Sequence, residues 1–363
     1  MSTGFELSTL VEAMRDAARD GLPAALATIT STRGATFRRA GARMLVHADG
    51  RVACELSGGC PQRDIVQRAL RVIASGHPEL ARYNAASGFD VLLEMGCGGE
   101  LDVLIEPLVD SATEAFFDAL LRVLESRRSA VAATVFAFDG KAVAPRRALW
   151  CDGETCFDEL EDAALRDAVV HAMASVHTTR AVTLRLPAAD GLADVLIERI
   201  DPPHALYAIG SNATARALLC AGHALGWRTT LIDADPVRLQ EAALPHGTRT
   251  VQATPHTFCD AIALDRHSSA VVMTHNLAQD LAWLAALRDA PVAYLGAIGS
   301  RERAARMRRE LSPPLADLHM PAGLDIGAET PAEIALAIIA EIVATLNARH
   351  GGSLRDSSSA LHP

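Results

Sequence analysis

Two cysteines in this chain sit in glycine-rich turns, and those turns decide what chemistry the thiols could do. Ser57-Gly58-Gly59-Cys60-Pro61 follows a strand-like run and leads into a helical one from Gln62 to Ala74. The pattern predicts Cys60 at the helix N-cap and Pro61 at the first helical position. A thiol there feels the positive end of the helix dipole and the unbonded backbone N–H groups. Both favour the thiolate, which is the nucleophile and the soft metal ligand. Arg63 lies one turn away. Gly58 and Gly59 let the backbone approach a ligand closely, and the same N–H groups suit a phosphate. Cys97, in Met95-Gly96-Cys97-Gly98-Gly99, occupies a second such turn between strand-like runs. The first turn reads equally as a tight connection carrying an incidental buried thiol, and the second cysteine tilts the balance, since a structural cysteine more often sits within a strand or helix.

The other five of the seven cysteines lack this setting, and core filling is expected of them. Cys54 falls in a strand-like run, Cys220 beside Leu218 and Leu219 in a helix, and Cys259 in a mixed segment; Cys151 and Cys156 read as structural. An odd cysteine count without a CxxC pair argues against a disulfide framework or a structural zinc site, and for a reducing cytoplasm. Upstream, Arg33, Arg38, Arg39 and Arg43 crowd a turn containing Gly34 and Gly41. Guanidinium groups so placed pair with phosphate or carboxylate, or remain solvated.

A second set of candidates lies in the C-terminal half. Gly210-Ser211-Asn212-Ala213-Thr214-Ala215 stands where a G-x-G-x-x-G/A dinucleotide fingerprint would, with Asp233 about 20 residues on. Its middle glycine is replaced by Asn212, which weakens the case for tight NAD binding. Turns at Gly210, at Thr274-His275-Asn276 and at Gly296-Ala297-Ile298-Gly299-Ser300 fall at the carboxyl ends of expected strands, the ligand edge of an open α/β sheet. His275 could act as a base or donor there, or be a satisfied turn residue, and Asp325 is expected to join this edge.

The elements that must position these residues fit two domains, since 363 residues can bury two ordinary cores. Half the chain is hydrophobic and its net charge is -10, a balance that fits a compact fold and argues against nucleic-acid binding. No signal peptide or membrane span is expected, because the N-terminus is acidic and amphipathic and the apolar stretch from Ile334 to Leu346 is short and broken by Glu341. Residues 1–200 mix a helix (Glu6 to Asp20) with short β-rich runs and read as an α+β domain, including a charge-rich loop after the strand VAATVFAF. Asp201-Pro202-Pro203 marks a boundary. From there to residue 348, strands at Ala205, Thr229, Ala270 and Val292 alternate with helices, the pattern of a Rossmann-like doubly wound parallel sheet. Thr330-Pro331-Ala332-Glu333 supplies a capping box for a final helix, expected to pack on the sheet or at a dimer contact. Residues 349–363 are polar and expected to be disordered, and no internal repeat is evident.

Arg33-Gly34-Ala35-Thr36-Phe37-Arg38-Arg39-Ala40-Gly41-Ala42-Arg43-Met44, Ser57-Gly58-Gly59-Cys60 and Gly96-Cys97-Gly98-Gly99 together resemble the N-terminal motifs of the XdhC/CoxI family. Thr274-His275, Tyr294 through Arg301 and Gly323 through Ala335 are similar to that family's Rossmann-domain motifs. The resemblance implies a cytoplasmic maturation factor for molybdenum hydroxylases of the xanthine dehydrogenase type. Such a factor is a cofactor chaperone rather than an enzyme. It transiently binds molybdenum cofactor as molybdopterin or its cytosine dinucleotide form, promotes its sulfuration with a cysteine desulfurase, and delivers it to an apo molybdenum hydroxylase. It implies Cys60 and Cys97 as candidate molybdenum ligands, and a homodimer. Gly58, Gly59, Arg38, Gly210, His275, Gly296, Gly299 and Asp325 are the further candidate cofactor contacts. The family usually carries a glycine-richer turn than Gly210-Ser211-Asn212-Ala213 after the first Rossmann strand. The competing expectation is an NAD(P)-dependent oxidoreductase with His275 as acid/base, and the interrupted fingerprint counts against it.

Overall fold

The structure is a computed structural model that describes residues 3–34, 36–56, 60–84, 99–108, 111–175, 181–189, 191–315 and 317–356. Its contacts divide the chain into two units, Met1–Pro202 and Pro203–Pro363. Among the described residues no helix is long and apolar enough to cross a membrane.

The first unit repeats one topology twice. Helix α1 (Thr3–Arg19) leads into β1 (Ala24–Arg33), β2 (Arg43–His47), β3 (Val52–Ala53), α2 (Cys60–Ser75), β4 (Glu79–Tyr83) and β5 (Glu100–Pro107). Helix α3 (Ser111–Glu125) leads into β6 (Ala130–Phe138), β7 (Lys141–Cys151), β8 (Glu154–Asp158), α4 (Ala163–Ser175), β9 (Val182–Ala188) and β10 (Gly191–Ile200). The two five-stranded sheets have matching orders, β3-β2-β1-β5-β4 and β8-β7-β6-β10-β9.

The match extends to single residues. Arg43 lies opposite Thr28 and Thr28 opposite Leu104, as Arg147 lies opposite Thr134 and Thr134 opposite Leu196. Each first strand carries a bulge at the same point, between Ile29 and Ser31 and between Val135 and Ala137. The segment Asp-Val-Leu-Ile-Glu occurs at 102–106 and again at 194–198. Val103 and Ile105 pack towards α2, Val195 and Ile197 towards α4, and Leu104 and Leu196 meet in a shared cluster. Asp102 pairs with Arg82 on β4 and Asp194 with Arg185 on β9. The glutamates cross over: Glu198 pairs with Arg43 and Glu106 with Arg147. An internal repeat therefore exists where the sequence suggested none. It is easily missed because the connections between matching elements differ in length and only short runs such as this one keep their sequence.

Helices α1 and α3 fill the space between the inner faces of the two sheets. Leu7, Leu10, Val11, Met14 and Ala17 follow the i, i+3, i+4, i+7 spacing of one helical face and join Phe116, Phe117, Leu120 and Leu124 in a core with Leu26, Leu45 and Leu149. Gly41 is required where it stands: its φ is +88°, and a Cβ there would lie 2.8 Å from the Glu198 carboxylate.

The charge-rich stretch expected as a loop is instead β7 and β8. Strand alternation turns Arg147 inward to its carboxylate while Arg146 pairs outward with Glu161, so charge does not prevent the strand. The cysteines also differ from expectation. Cys151 is buried, but Cys156, Cys220 and Cys259 are exposed and do not fill the core. Cys220 lies on the solvent side of its helix, whose Leu218 and Leu219 face inward.

The second unit is a six-stranded sheet of order β13-β12-β11-β14-β15-β16, parallel throughout. Its strands are β11 (Ala205–Ile209), β12 (Arg228–Asp233), β13 (Arg249–Gln252), β14 (Ser268–Val272), β15 (Tyr294–Ala297) and β16 (Leu318–His319). Helices α5 (Ala213–Ala224), α6 (Pro236–Glu241), α7 (Phe258–Ala261), α8 (Leu277–Ala286), α9 (Arg301–Glu310) and α10 (Pro331–Leu346) connect and close it. Two apolar clusters cover opposite faces, as a doubly wound sheet requires. The capping box at Thr330 and Glu333 forms, and Ile338 and Ile342 seat α10 on the sheet with Leu206 and Met273. Residues 354–356 form a 3-10 turn and Gly351 meets the side chain of Leu324, where composition predicts no order.

Candidate functional site

Each unit has one edge where described residues from the candidate segments come together. In the first unit it is one end of the β1 sheet. Thr32 and Tyr83 both lie opposite Leu101, so the ends of β1 and β4 and the start of β5 stand side by side. The hydroxyl of Tyr83 donates to Asp64 Oδ2 at 2.8 Å, fixing the end of β4 to the first turns of α2, the helix that begins at Cys60. Gly99, where the chain returns to β5, lies against Gly34 at the end of β1: a Cβ on Gly34 would be 3.6 Å from its Cα. Cys97, Gly58, Gly59 and the side chain of Cys60 lie outside the described residues.

The second repeat has a matching arrangement. Asp162, at the start of α4, accepts from the N–H groups of Ala164 and Leu165 and from Ala189 just beyond β9. In both repeats, then, a carboxylate at the N-terminal end of the helix holds the end of the strand that precedes the last connection.

Arg33, Arg38 and Arg43, near Gly34 and Gly41, each have a carboxylate partner. Arg38 makes a two-pronged ion pair with Glu6 of α1, at 2.9 and 2.5 Å. Arg33 approaches Glu100 at 3.7 Å, and Arg43 is buried with Glu198. An anion arriving at this end would have to compete with those carboxylates.

In the second unit the gathering place is the carboxyl edge of the parallel sheet, where β11 and β14 part and the strand order reverses. Gly210 has φ +108°, and a Cβ there would lie 2.8 Å from the Met273 carbonyl and the Thr274 Cα. Glycine is needed for that approach. Asn212 caps α5, its Oδ1 accepting from Ala215 N at 3.0 Å, while its Nδ2 donates to the Met273 carbonyl at 2.6 Å. Asp233 accepts from Ser211 N at 2.7 Å and Asp235 N at 2.9 Å.

His275 follows in a left-handed conformation, φ +61°, uncommon for a residue with a side chain. What holds that turn is Asp280, only 1% exposed, which accepts from Thr274 Oγ1 at 2.6 Å, Thr274 N at 3.1 Å and Arg303 Nη2 at 2.6 Å. Gly299 packs against the stem of Arg303, where a Cβ would lie 2.9 Å from its Cδ. The turns carrying Gly210, His275 and Gly299 are thus brought together. Asp325 and Arg301 form an exposed pair at 3.4 Å. Gly296 differs: it lies within β15, and a Cβ there would meet the Tyr294 ring at 2.7 Å and Ala322 at 3.1 Å.

Sequence reasoning did not single out Asp280 or the cluster around Glu341. Tyr294 OH donates to Glu341 Oε2 at 2.6 Å, Gly323 N donates to the same oxygen at 2.8 Å, and the His319 ring stacks on Tyr294. Burial, and then the hydrogen bond to Glu341, raise the Tyr294 phenol far above its usual range. Both carboxylates carried a signal. Asp280 shares a helix face with Trp283 and Leu284, and Glu341 shares one with Ala337 and Ile338. A charge on an apolar face must be paired inside the protein.

With this geometry in place, comparison with known proteins is informative. Residues 17–84 match the XdhC and CoxI family, and residues 206–342 match the XdhC Rossmann domain. The chain belongs to the XdhC and CoxI family. Among its relatives is a Bacillus subtilis protein described as a probable xanthine dehydrogenase subunit, 28% identical over 93% of this chain and 96% of that one. An Escherichia coli protein described as the molybdenum cofactor insertion chaperone PaoD is 34% identical over 101 residues, 28% of this chain and 31% of its own. The uncharacterized Escherichia coli protein YqeB is 24% identical over 94% of this chain, which spans 46% of its length. A crystal structure described as a xanthine dehydrogenase from Bacillus halodurans shares the fold, with a TM-score of 0.78 over 96% of this chain and 98% of that one at 24% identity. The match to the Rossmann domain includes the turns at Gly210, His275 and Gly299.

Proposed function

We propose that this XdhC-family chain is a delivery factor whose cargo is a molybdenum cofactor of the molybdopterin type. It holds the cargo while a cysteine desulfurase supplies the terminal sulfur, and passes it to an apo molybdenum hydroxylase of the xanthine dehydrogenase kind. Family membership and the relative described as an insertion chaperone support the reading.

The observation that carries it in this chain is the hydrogen bond from Tyr83 to Asp64. It tethers the strand leading into the segment with Cys97 to the helix that begins at Cys60, and Gly99 returns beside Gly34. In this reading Cys60 and Cys97 share one site that takes the metal end of the cargo. Molybdenum is thiophilic, so thiolates suit a transient hold that a client can outcompete.

The test is retention of cargo. Purified chain is mixed with isolated molybdenum cofactor and gel-filtered, and molybdenum is measured by elemental analysis for wild type, Cys60→Ala and Cys97→Ala. Wild type should carry metal, either variant should lose most of it, and both should remain folded by circular dichroism. Retention unchanged in both variants would remove the thiolates from the site, and no retention by wild type would remove the delivery role.

A further inference from the structure

We infer that Asn212 is a specificity-determining residue of the parallel-sheet crevice: it bars ligands in which a pyrophosphate joins a nucleoside to a second group, so the cargo this chain accepts is the form with a single phosphate. The inference rests on the delivery reading above. Three features of the edge support it.

A pyrophosphate crossing the first turn of such a fold needs the middle residue of the fingerprint to lack a side chain. Here the Asn212 amide is anchored at both ends, Nδ2 to the Met273 carbonyl at 2.6 Å and Oδ1 to Ala215 N at 3.0 Å, so it lies across the gap between β11 and β14. It cannot rotate away without leaving a buried carbonyl and a helix N–H unpaired.

The carboxylate that would receive a ribose in a dinucleotide fold is already engaged in holding the turn. Each oxygen of Asp233 accepts a backbone N–H, one from Ser211 and one from Asp235. Finally, the hydroxyl of Ser211 donates to the Arg238 carbonyl at 3.2 Å, tying the turn to α6. A single terminal phosphate does not have to cross the turn, and meets none of these obstacles.

The experiment uses the full chain, wild type and Asn212→Gly, titrated calorimetrically with NAD+, with plain molybdenum cofactor and with its cytosine dinucleotide form. Asn212→Ser, which keeps a capping oxygen but shortens the side chain, serves if the glycine variant proves unstable. Wild type should bind the plain form and reject both dinucleotides. The variants should gain at least about tenfold in dinucleotide affinity, about 1.4 kcal/mol, while affinity for the plain form changes little. Dinucleotide binding by wild type equal to that of the variants would overturn the inference and leave the delivery reading intact. Wild type binding neither cofactor form, with the variants gaining NAD+, would support the role of Asn212 and overturn the delivery reading.

Discussion

Arg43 and Glu198 form a buried ion pair although 155 residues separate them, their side chains only 7% and 5% exposed. Arg147 and Glu106 repeat the pair from the other sheet, at 4% and 2%. Each guanidinium also sits over a ring of α3, Arg43 over Phe117 at 5.7 Å and Arg147 over Phe116 at 5.5 Å. The two pairs join the repeated halves of the first unit through its core. The N–H groups left over from the carboxylates are partly used as well, Arg43 donating to the Gly41 carbonyl and Arg147 to Thr113.

Breaking such a pair leaves an uncompensated buried charge, which costs about 3–5 kcal/mol. Arg147→Met should therefore lower the urea midpoint strongly, and Arg147→Met with Glu106→Leu should recover most of the loss, because two apolar side chains can replace the pair. Equal stability of the single variant and wild type would mean that the charges are solvated and do not hold the halves together.

How much of this was legible in the sequence depends on how local the signal was. The capping box at Thr330, the alternation of strands and helices after Pro203 and the break in the fingerprint at Asn212 are short-range patterns, and each appears in the structure. The crossed pairs are not short-range. Nothing in the run Arg43-Met44-Leu45 names Glu198 as a partner, and β7 reads as a loop because its charges find carboxylates only after folding. The repeated Asp-Val-Leu-Ile-Glu was legible and shows what a search for matching segments can find. At the candidate sites the glycines and His275 announced themselves, whereas Asp280 signalled only that it needs a partner inside the protein, not which one. Its role comes from Thr274 and Arg303, one turn before the helix and one helix beyond.

The tyrosines make a prediction at alkaline pH. Burial, together with the hydrogen bonds to Asp64 and Glu341, raises the phenols of Tyr83 and Tyr294 well above the ordinary value of 10.0. The folded state thus keeps protons that the unfolded chain would release above pH 10. Stability from these groups is whole below that pH and is lost as pH rises beyond it. A spectrophotometric titration of the native protein should show at most one of the three tyrosines ionising near pH 10, with the other two appearing only on unfolding. Three ionising together in folded protein would contradict the burial of these rings.

His47 makes the opposite prediction in acid. Its Nδ1 is buried with no hydrogen-bond partner among the described residues. Burial, and then the charge of Arg51, lower its pKa from 6.5, against a smaller opposing effect of Asp49. The unfolded chain takes up this proton first, so the contribution is whole above pH 6.5 and is lost as pH falls below it. The drop in melting temperature from pH 7.5 to pH 5.5 should be smaller in His47→Leu than in wild type. An identical drop would show that His47 protonates freely in the folded state.

Asp280 ties the ligand edge of the second unit to its stability. Its carboxylate is enclosed, and three donors converge on it from Thr274 and Arg303. Asp280→Ala leaves the Arg303 charge and the Thr274 N–H without that acceptor, and should cost about 3–5 kcal/mol. It should also release the turn that keeps His275 at φ +61°, because Asn276 N donates to the same Thr274 hydroxyl that Asp280 orients. Amide exchange over residues 273–277 should then quicken in the folded variant well beyond that in the strands β11 and β12. Asp280→Ala with Arg303→Leu removes the stranded charge, so it should recover stability without restoring protection of the turn. If the double variant restored both, Arg303 alone would be shaping the edge and Asp280 would serve only to neutralise it.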